Sequence, residues 1–340
     1  MAEIAVVILN YNGQTFLENF LPGVIANSPE ARIYIADNAS DDGSIDYVTK
    51  YHHQVNIIQL EENHGFAGGY NHALKQVEAD YFVLLNSDIE VTPNWISPVI
   101  DWMEAHEDCA ACQPKILDYN KKSTFEYAGA AGGYIDNLGY PYCRGRVFET
   151  LEEDKGQYDT TKQIFWASGA CMFVRSYAFF QSGGFDEDFF AHMEEIDLCW
   201  RLNLSGQSIY CVPESKVYHV GGGTLSKTNP NKTYLNFRNS ISMLYKNTES
   251  TPLLWKLPLK FMLDLSAGFK FLLSGSVAHF SAVWKAYFHF IRDISKYSKK
   301  RYQLSRIIKK EPTQSLDSFI LPVQYFLLGK KKYHELKQSA

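Results

Sequence analysis

Runs of apolar and β-branched residues recur at even intervals in the N-terminal third of the chain and predict strands buried on both faces. Such strands appear as continuous apolar runs, because neither set of alternating side chains faces water. The clearest runs are residues 4–9, 32–36, 55–60 and 81–85. Their starts are roughly 25 residues apart, which leaves room for a crossover helix after each strand.

Helical patterning fills the intervals between these runs. The predicted helices cover residues 15–27, 44–51, 67–77 and 93–106. Thr92 stands where a side chain would cap the last of them. Strands that alternate with helices predict an α/β fold with a mostly parallel central sheet, in which ligands bind beyond the carboxyl ends of the strands.

The later part of the chain has a less regular pattern. Residues 118–165 predict a loop or hairpin excursion, residues 169–175 a further strand, and residues 194–205 a helix. Residues 210–212 and 216–219 predict two short extended pieces.

Polar and glycine residues follow each of the first four predicted strands. Any one of these segments would be typical of an ordinary turn. Four of them at the same edge of a sheet indicate a binding site instead. The segments are residues 10–13, 37–44, 63–71 and 86–88.

Three side chains in these segments have suitable chemistry for a nucleotide. Asp88 follows a buried apolar run, and a carboxylate there can bind Mg²⁺ or Mn²⁺ through oxygen. Asp37 can accept a hydrogen bond from a base N–H, and Tyr11 offers a face on which a base can stack.

A second acidic cluster begins the helix at residue 194. Helical spacing places Glu194 and Asp197 on one face and turns Glu195 away from them, so the three carboxylates can have different roles. A carboxylate at this position can act as a general base or can simply favour the helix dipole. His219 precedes the glycines at 221–223, which would let a phosphate or a metal approach closely.

Charge is distributed unevenly along the 340 residues, whose net charge is −5. Residues 1–245 hold 16 basic and 32 acidic side chains, whereas residues 246–340 hold 17 and 6. An acidic body excludes general nucleic-acid binding by that part, and a basic tail points to an anionic partner. The absence of a signal-peptide pattern and of a dense cysteine framework predicts a cytoplasmic protein with reduced thiols.

The tail at residues 246–340 is also rich in apolar and aromatic residues. Its longest uncharged run, residues 271–284, has 14 residues, whereas a membrane-spanning helix needs about 20. An amphipathic basic helix that lies on an anionic membrane surface fits this pattern. A helical subdomain packed on the body and a homodimer contact remain open alternatives.

Eight short motifs in a fixed order across about residues 4–245 resemble the inverting glycosyltransferases of family 2, which have the GT-A nucleotide-sugar fold. The resemblance is strongest to bacterial rhamnosyltransferase-like members that build cell-surface polysaccharide. The motifs are VVILNYNG, ADNASDDGS, NHGFAGGYN, LLNSD, SGACMFVR, GGFDEDFF, MEEIDLCWR and HVGGGT.

This resemblance implies a metal-dependent hexosyltransferase with a nucleoside-diphosphate sugar donor and a saccharide or lipid-linked saccharide acceptor. It implies that Glu195 is the general base within an acidic group that includes Glu194 and Asp197, and that Asp88 and His219 hold Mg²⁺ or Mn²⁺. The residues expected to contact the donor are Leu9, Tyr11, Asn12, Asp37, Asn38, Gly65, Asn86 and Ser87.

Two departures from the family pattern affect these expectations. The family D-x-D is Asn86-Ser87-Asp88 here, which removes one carboxylate, and the usual Glu-Asp pair is Glu194-Glu195. The expected domains are a GT-A domain at residues 1–245 and a helical tail at residues 246–340. The expected location is the cytoplasmic face of the inner membrane, with peripheral attachment.

Two other classes of protein use a similar sheet. A nucleotidyltransferase would need a basic glycine-rich loop after the first strand, and NYNGQTF has no Lys or Arg. A nicotinamide enzyme would need G-x-G-x-x-G there, which is also absent. A non-catalytic carbohydrate-binding protein would not need Asp88, Glu195 and His219 together.

Overall fold

The computed structural model describes residues 2–221, 229–306 and 312–336. Gly222 and Gly223, which the sequence places after His219, lie outside the described residues. The strands are β1 (Ile4–Asn10), β2 (Arg32–Asp37), β3 (Asn56–Gln59), β4 (Tyr81–Asn86), β5 (Ile89–Val91), β6 (Cys109–Asp118), β7 (Gly133–Ile135), β8 (Pro141–Cys143), β9 (Arg146–Val147), β10 (Thr150–Leu151), β11 (Lys162–Gln163), β12 (Cys171–Arg175) and β13 (Ser208–His219).

Nine of these strands form a central mixed sheet in the order β11-β13-β6-β12-β4-β1-β2-β3, with β5 paired to β13. The pairs β1–β2, β1–β4, β2–β3 and β6–β13 are parallel, whereas β12 is antiparallel to both of its neighbours. The predicted α/β fold with a mostly parallel sheet is therefore confirmed. The predicted excursion at residues 118–165 contains a small antiparallel sheet in the order β10-β9-β8-β7.

Helices cover the sheet and extend beyond it towards the C-terminus. Their bounds are α1 (Gln14–Ala26), α2 (Ser44–Tyr51), α3 (Gly65–Leu74), α4 (Ser97–Ala105), α5 (Ser176–Gln181), α6 (Glu194–Leu204), α7 (Pro230–Asn247), α8 (Ser250–Leu273), α9 (Val277–Arg292) and α10 (Ile294–Ser305). Short turns of 3-10 helix lie at Glu187–Phe189 and Tyr333–Glu335, and one π-helical turn at Val323–Leu327.

The central sheet buries both of its faces, as the continuous apolar runs predict. Along β1, Ala5 and Val7 pack into the core on one face, and Val6 and Ile8 into the core on the other. All four side chains are at most 1% exposed.

Two local predictions are wrong. The fourth helix begins at Ser97, because the chain leaves β5 at Val91 and makes a turn before the helix starts. The Thr92 hydroxyl donates to the Lys216 carbonyl oxygen at 2.8 Å instead of capping a helix. The two extended pieces at 210–212 and 216–219 form one strand, β13, whose register shifts beside β6 between Val212 and Lys216.

The C-terminal residues pack against the body. Helix α7 lies along α9 and α10, and Phe319, Leu321 and Tyr333 join the same core cluster as β1. The backbone N–H of Leu321 donates to the buried Asp136 carboxylate at 2.6 Å. The division proposed after residue 245 falls in the last turn of α7.

The uncharged run at residues 271–284 does not form one helix. It includes the end of α8, a turn at Gly275 with φ of 82°, and the first half of α9. Among the described residues, no helix has both the length and the apolar character needed to cross a bilayer.

Candidate active site

The carboxyl ends of β1, β2, β4 and β13 meet at one edge of the sheet. Asn10 pairs in register with Asp37, and Leu9 with Asn86. His219, the last residue of β13, has its Nε2 3.4 Å from the Asn86 side-chain nitrogen. Residues more than 200 positions apart in the chain therefore face one common polar surface.

Asp37 is fixed by the turn that follows β2. Its Oδ1 accepts hydrogen bonds from Asn10 Nδ2 at 3.1 Å and Ser40 Oγ at 2.5 Å, and its Oδ2 from the Ser40 amide at 3.1 Å. The Asn12 amide donates to the same Ser40 Oγ at 2.9 Å, while the Tyr11 side chain is 47% exposed. Asn10 and Ser40 therefore orient Asp37, a role that was not predicted from the sequence.

Two glycines leave space beside the strand ends. A Cβ on Gly13 would lie 2.5 Å from Asn10 Oδ1 and 3.6 Å from Ser87 Oγ, and one on Gly69 would lie 2.8 Å from Leu9 Cδ1. Asn10 Oδ1 is buried and has no hydrogen-bond partner among the described residues. An unpaired buried acceptor at this position is consistent with a ligand that donates a hydrogen bond.

Asn38 connects β2 to the start of α3. Its Nδ2 donates to the Gly65 carbonyl oxygen at 2.9 Å and to Asn63 Oδ1 at 3.0 Å, and its Oδ1 accepts from the His64 amide at 3.0 Å. Both amide hydrogens of Asn38 are thus used within the protein. Any effect of Asn38 on a bound sugar donor would therefore come through the shape of this loop.

Gly65 contacts the loop that leads to α6. Its φ is +69°, and a Cβ at this position would lie 2.5 Å from the Phe190 ring and 2.6 Å from the Phe190 carbonyl oxygen. This close approach is available only to glycine, and it joins the predicted donor side to the acidic helix.

We expect Gly65→Ala to destabilise the fold by about 1–3 kcal/mol, because it combines a left-handed backbone with a steric clash. Gly23→Ala in α1 is the matched control, since a Cβ there has no neighbour within 4 Å. The control should stabilise the protein by up to about 1 kcal/mol. Urea unfolding measures both changes, and equal effects of the two substitutions would contradict the role given to Gly65.

Asp88, His219 and Glu126 form a buried row of alternating charge. His219 Nε2 lies 3.1 Å from Asp88 Oδ1, and its Nδ1 lies 3.3 Å from Glu126 Oε2. Burial alone would lower the pKa of His219, but Glu126 and Asp88 raise it to about 10. Burial opposes ionisation of Asp88, and the hydrogen bond and charge of His219 nevertheless lower its pKa.

Glu126 was missed by the sequence analysis, because it lies in the stretch expected to be irregular. The signal available was a single acidic residue among apolar and small residues in FEYAGAA. In the fold, Glu126 lies next to His219 on the side away from Asp88. Carboxylates often contact the second ring nitrogen of a metal-binding histidine in this way.

The described residues contain no cluster of three or more groups suited to hold a metal ion. Metal binding would require the His219 imidazolium to lose a proton, because its pKa is about 10. Asp88 and His219 would then offer an oxygen and a nitrogen donor side by side, and Glu126 would fix the imidazole. This donor set fits a divalent cation such as Mn²⁺ that takes its other ligands from a diphosphate and water.

The three acidic residues of α6 have different surroundings. Asp197 is fully buried; its Oδ2 accepts from Arg201 Nε at 3.0 Å, and its Oδ1 from Asn247 Nδ2 at 2.8 Å. Lys246 Nζ lies 3.1 Å from the same Oδ1. Asp197 therefore anchors α7 to α6, and its carboxylate is not accessible to an acceptor.

Glu194 and Glu195 lack such partners. Each has a buried Oε2 without a hydrogen-bond partner among the described residues. Burial raises the pKa of Glu195 to about 7. Burial and the adjacent charges of Glu195 and Asp197 raise the pKa of Glu194 well above its usual range. A glutamate that titrates near neutral pH is suited to proton transfer.

Comparison with known proteins gives a family match. The model of glycosyl transferase family 2 matches residues 5–179, more than half of the chain. The N-acetylglucosaminyl-diphospho-decaprenol L-rhamnosyltransferase of Mycobacterium tuberculosis is 26% identical over 231 residues, which cover 64% of this chain and 75% of that protein.

Two solved structures share the fold at low sequence identity. GalNAc-T7, solved with UDP, GalNAc and Mn²⁺, gives a TM-score of 0.59 at 14% identity; the match covers 87% of this chain but only 58% of GalNAc-T7. The mannosyltransferase PcManGT of Pyrobaculum calidifontis, solved with GDP-Man and Mn²⁺, gives 0.50 at 13% identity and covers 90% and 85% of the two chains.

Proposed function

Because the chain belongs to glycosyltransferase family 2, we propose that it transfers a hexose from a nucleoside diphosphate to an acceptor hydroxyl, with inversion at the anomeric carbon. One observation carries this proposal: Glu195 has an unpartnered carboxylate oxygen and a pKa near 7. Besides burial, its charge and that of Glu126, which lies against His219, both raise the pKa of Cys143, so Glu195 and the strand-end row lie near one buried thiol.

The donor would lie across the carboxyl ends of β1, β2 and β4. Tyr11 and Leu9 would flank the base, Asp37 would accept its N–H, and Ser87 would contact the ribose. Asp88 and His219 would hold a divalent cation, which neutralises charge on the departing diphosphate.

Glu195 would take the proton of the acceptor hydroxyl as that oxygen bonds to the anomeric carbon. The bond from this carbon to the diphosphate oxygen breaks on the opposite face, and its electron pair leaves with the diphosphate. Attack from the face opposite the leaving group inverts the configuration. Asp197 has no part in this step, because Arg201, Asn247 and Lys246 occupy its carboxylate.

A panel of UDP-, dTDP- and GDP-sugars, each with and without Mn²⁺ or Mg²⁺, tests the proposal. The correct donor should raise the midpoint of thermal unfolding and be hydrolysed slowly, and both effects should need the metal. Sugar binding without hydrolysis or transfer would favour a non-catalytic binding protein. A response to nucleoside triphosphates alone would favour a nucleotidyltransferase.

The acceptor we propose is a lipid-linked saccharide at an anionic membrane surface, and the name of the mycobacterial relative indicates such an acceptor for that protein. Helices α8 and α9 expose large apolar side chains on the surface of this chain. Those more than half exposed are Leu254, Met262, Leu273, Val277, Phe288 and Ile291.

Part of the positive charge of the tail is neutralised within the protein, contrary to the expectation that all of it faces an anionic partner. Lys246, Lys296 and Lys300 pair with Asp186 and Asp188 of the body, so these cations are not free for an anionic surface. Lys270, Lys285 and Lys299 remain exposed, and none forms an ion pair within the described residues. Apolar side chains combined with a few free lysines suit attachment to a membrane interface.

We expect the protein to sediment with anionic vesicles at low salt and less so at high salt. The double substitution Leu273→Glu and Phe288→Glu should abolish sedimentation, because it places charge on two strongly exposed apolar positions. Tyr51→Glu on α2 is the control and should bind like the unmodified protein. If the double variant instead converts a dimer to a monomer and vesicles bind neither protein, this surface is a homodimer contact.

A further inference from the structure

The loop between the short helix at Glu187–Phe189 and α6 has an unusual backbone. Phe190, His192 and Met193 have φ values of 63°, 71° and 73°, in the left-handed region that non-glycine residues rarely adopt. Three such residues within four positions require contacts from outside the loop to hold them. The loop ends directly at Glu194 and Glu195.

Asn239 of α7 supplies these contacts. Its Nδ2 lies 3.0 Å from the carbonyl oxygen of Phe189, 2.9 Å from that of Ala191 and 2.7 Å from that of His192. Two amide hydrogens are thus shared among three acceptors, and Asn239 itself is fully buried. No other side chain among the described residues donates to all three of these carbonyls.

Arg238 determines which way the Asn239 amide points. Arg238 Nε and Nη2 donate to Asn239 Oδ1 at 2.9 and 2.8 Å, so the amide nitrogen faces the loop. Arg238 Nη2 also donates to the carbonyl oxygens of Asp188 and Phe189 at 2.6 and 3.1 Å.

The remaining carbonyl of this turn is held from the opposite side. Phe190 O accepts from the amides of Phe66 and Ala67 at the start of α3, at 2.7 and 3.1 Å. The loop is therefore clamped between α3, which borders the predicted donor site, and α7.

We propose that Asn239 is a positioning residue for the reaction: it holds the left-handed loop that sets the place of Glu195. This inference rests on the proposed role of Glu195 as the base. Asn239 lies outside residues 5–179, so the family match does not reach it.

Asn239→Ala tests the proposal, with Asn203→Ala as the matched control. Asn203 is also a fully buried asparagine, and its Nδ2 donates to the carbonyl oxygens of Phe165 and Cys199 at 2.9 and 3.0 Å, at the other end of α6. Arg238→Met, at a partly exposed position, is a second variant if Asn239→Ala does not fold.

Two measurements separate positioning from general stability. Amide hydrogen exchange across residues 187–197 should quicken in Asn239→Ala and stay unchanged in Asn203→Ala. Turnover of Asn239→Ala should fall at least tenfold, while its KM for the sugar donor stays within twofold of that of the unmodified protein. Asn203→Ala should keep the turnover of the unmodified protein.

Unchanged exchange in the loop, or the same turnover in both alanine variants, would overturn the role of Asn239. Hydrogen exchange reports on the contacts between Asn239 and the loop without any assay of activity. If exchange quickens as expected but Glu195→Gln retains normal turnover, Asn239 does hold the loop, and the assignment of Glu195 as the base is wrong.

Discussion

Asp88→Asn should reduce sugar transfer below detection and abolish metal-dependent nucleotide binding. Asp88 is the one carboxylate of Asn86-Ser87-Asp88, and it is 6% exposed with its Oδ1 3.1 Å from His219 Nε2. Removing its charge leaves the diphosphate poorly compensated, at a cost of several kcal/mol in the transition state. The amide keeps the size of the side chain, so the fold should survive.

Titration calorimetry with a nucleoside diphosphate, with and without Mn²⁺, measures binding apart from turnover. Asn86→Asp is the opposing variant, because it adds a second carboxylate beside His219 and should tighten metal-dependent binding. If Asp88→Asn keeps metal-dependent binding and near-normal turnover, the cation site lies elsewhere.

Glu195→Gln should lower turnover by about 10²–10⁴-fold, the usual contribution of a general base. Donor affinity should change little, because the amide has nearly the same volume and lacks only basicity. Glu194→Gln is the matched control. Burial and the charges of Glu195 and Asp197 raise the pKa of Glu194 well above its usual range and so favour its neutral form, which the amide resembles. The effect should therefore be mild.

The pH profile provides a second test of Glu195. A base must be deprotonated to act, so turnover of the unmodified enzyme should fall as the pH drops below about 7, the pKa that burial gives Glu195. Glu195→Gln should lose this acid limb. A larger loss in Glu194→Gln than in Glu195→Gln would exchange the roles of the two residues.

The sequence was sufficient to predict the strand ends, because apolar runs buried on both faces are followed by polar residues where the chain leaves the sheet. Asp37 and Asp88 were identified from this pattern alone. Asp197 was grouped with Glu194 by helical spacing, but spacing does not reveal that Arg201 and Asn247, one of them from another helix, occupy its carboxylate.

Long-range partners account for the other omissions. Glu126 reaches His219 across 93 positions, and Asn239 reaches the loop before α6 from a helix that follows it. Neither residue belongs to a local pattern, since each is placed by the packing of elements distant in sequence. The tail was likewise expected to direct its charge outwards, whereas three of its lysines neutralise aspartates of the body.

The ion pairs of Lys296 and Lys300 with Asp188 and Asp186 limit how this enzyme can be re-engineered. A version shortened near residue 250 would leave both aspartates without these counter-ions and remove Phe319 from the core. Chimeras that exchange C-terminal halves between relatives would need to transfer both sides of each pair together. The C-terminal helices are therefore not an interchangeable module, and functional hybrids should require a crossover before Asp186.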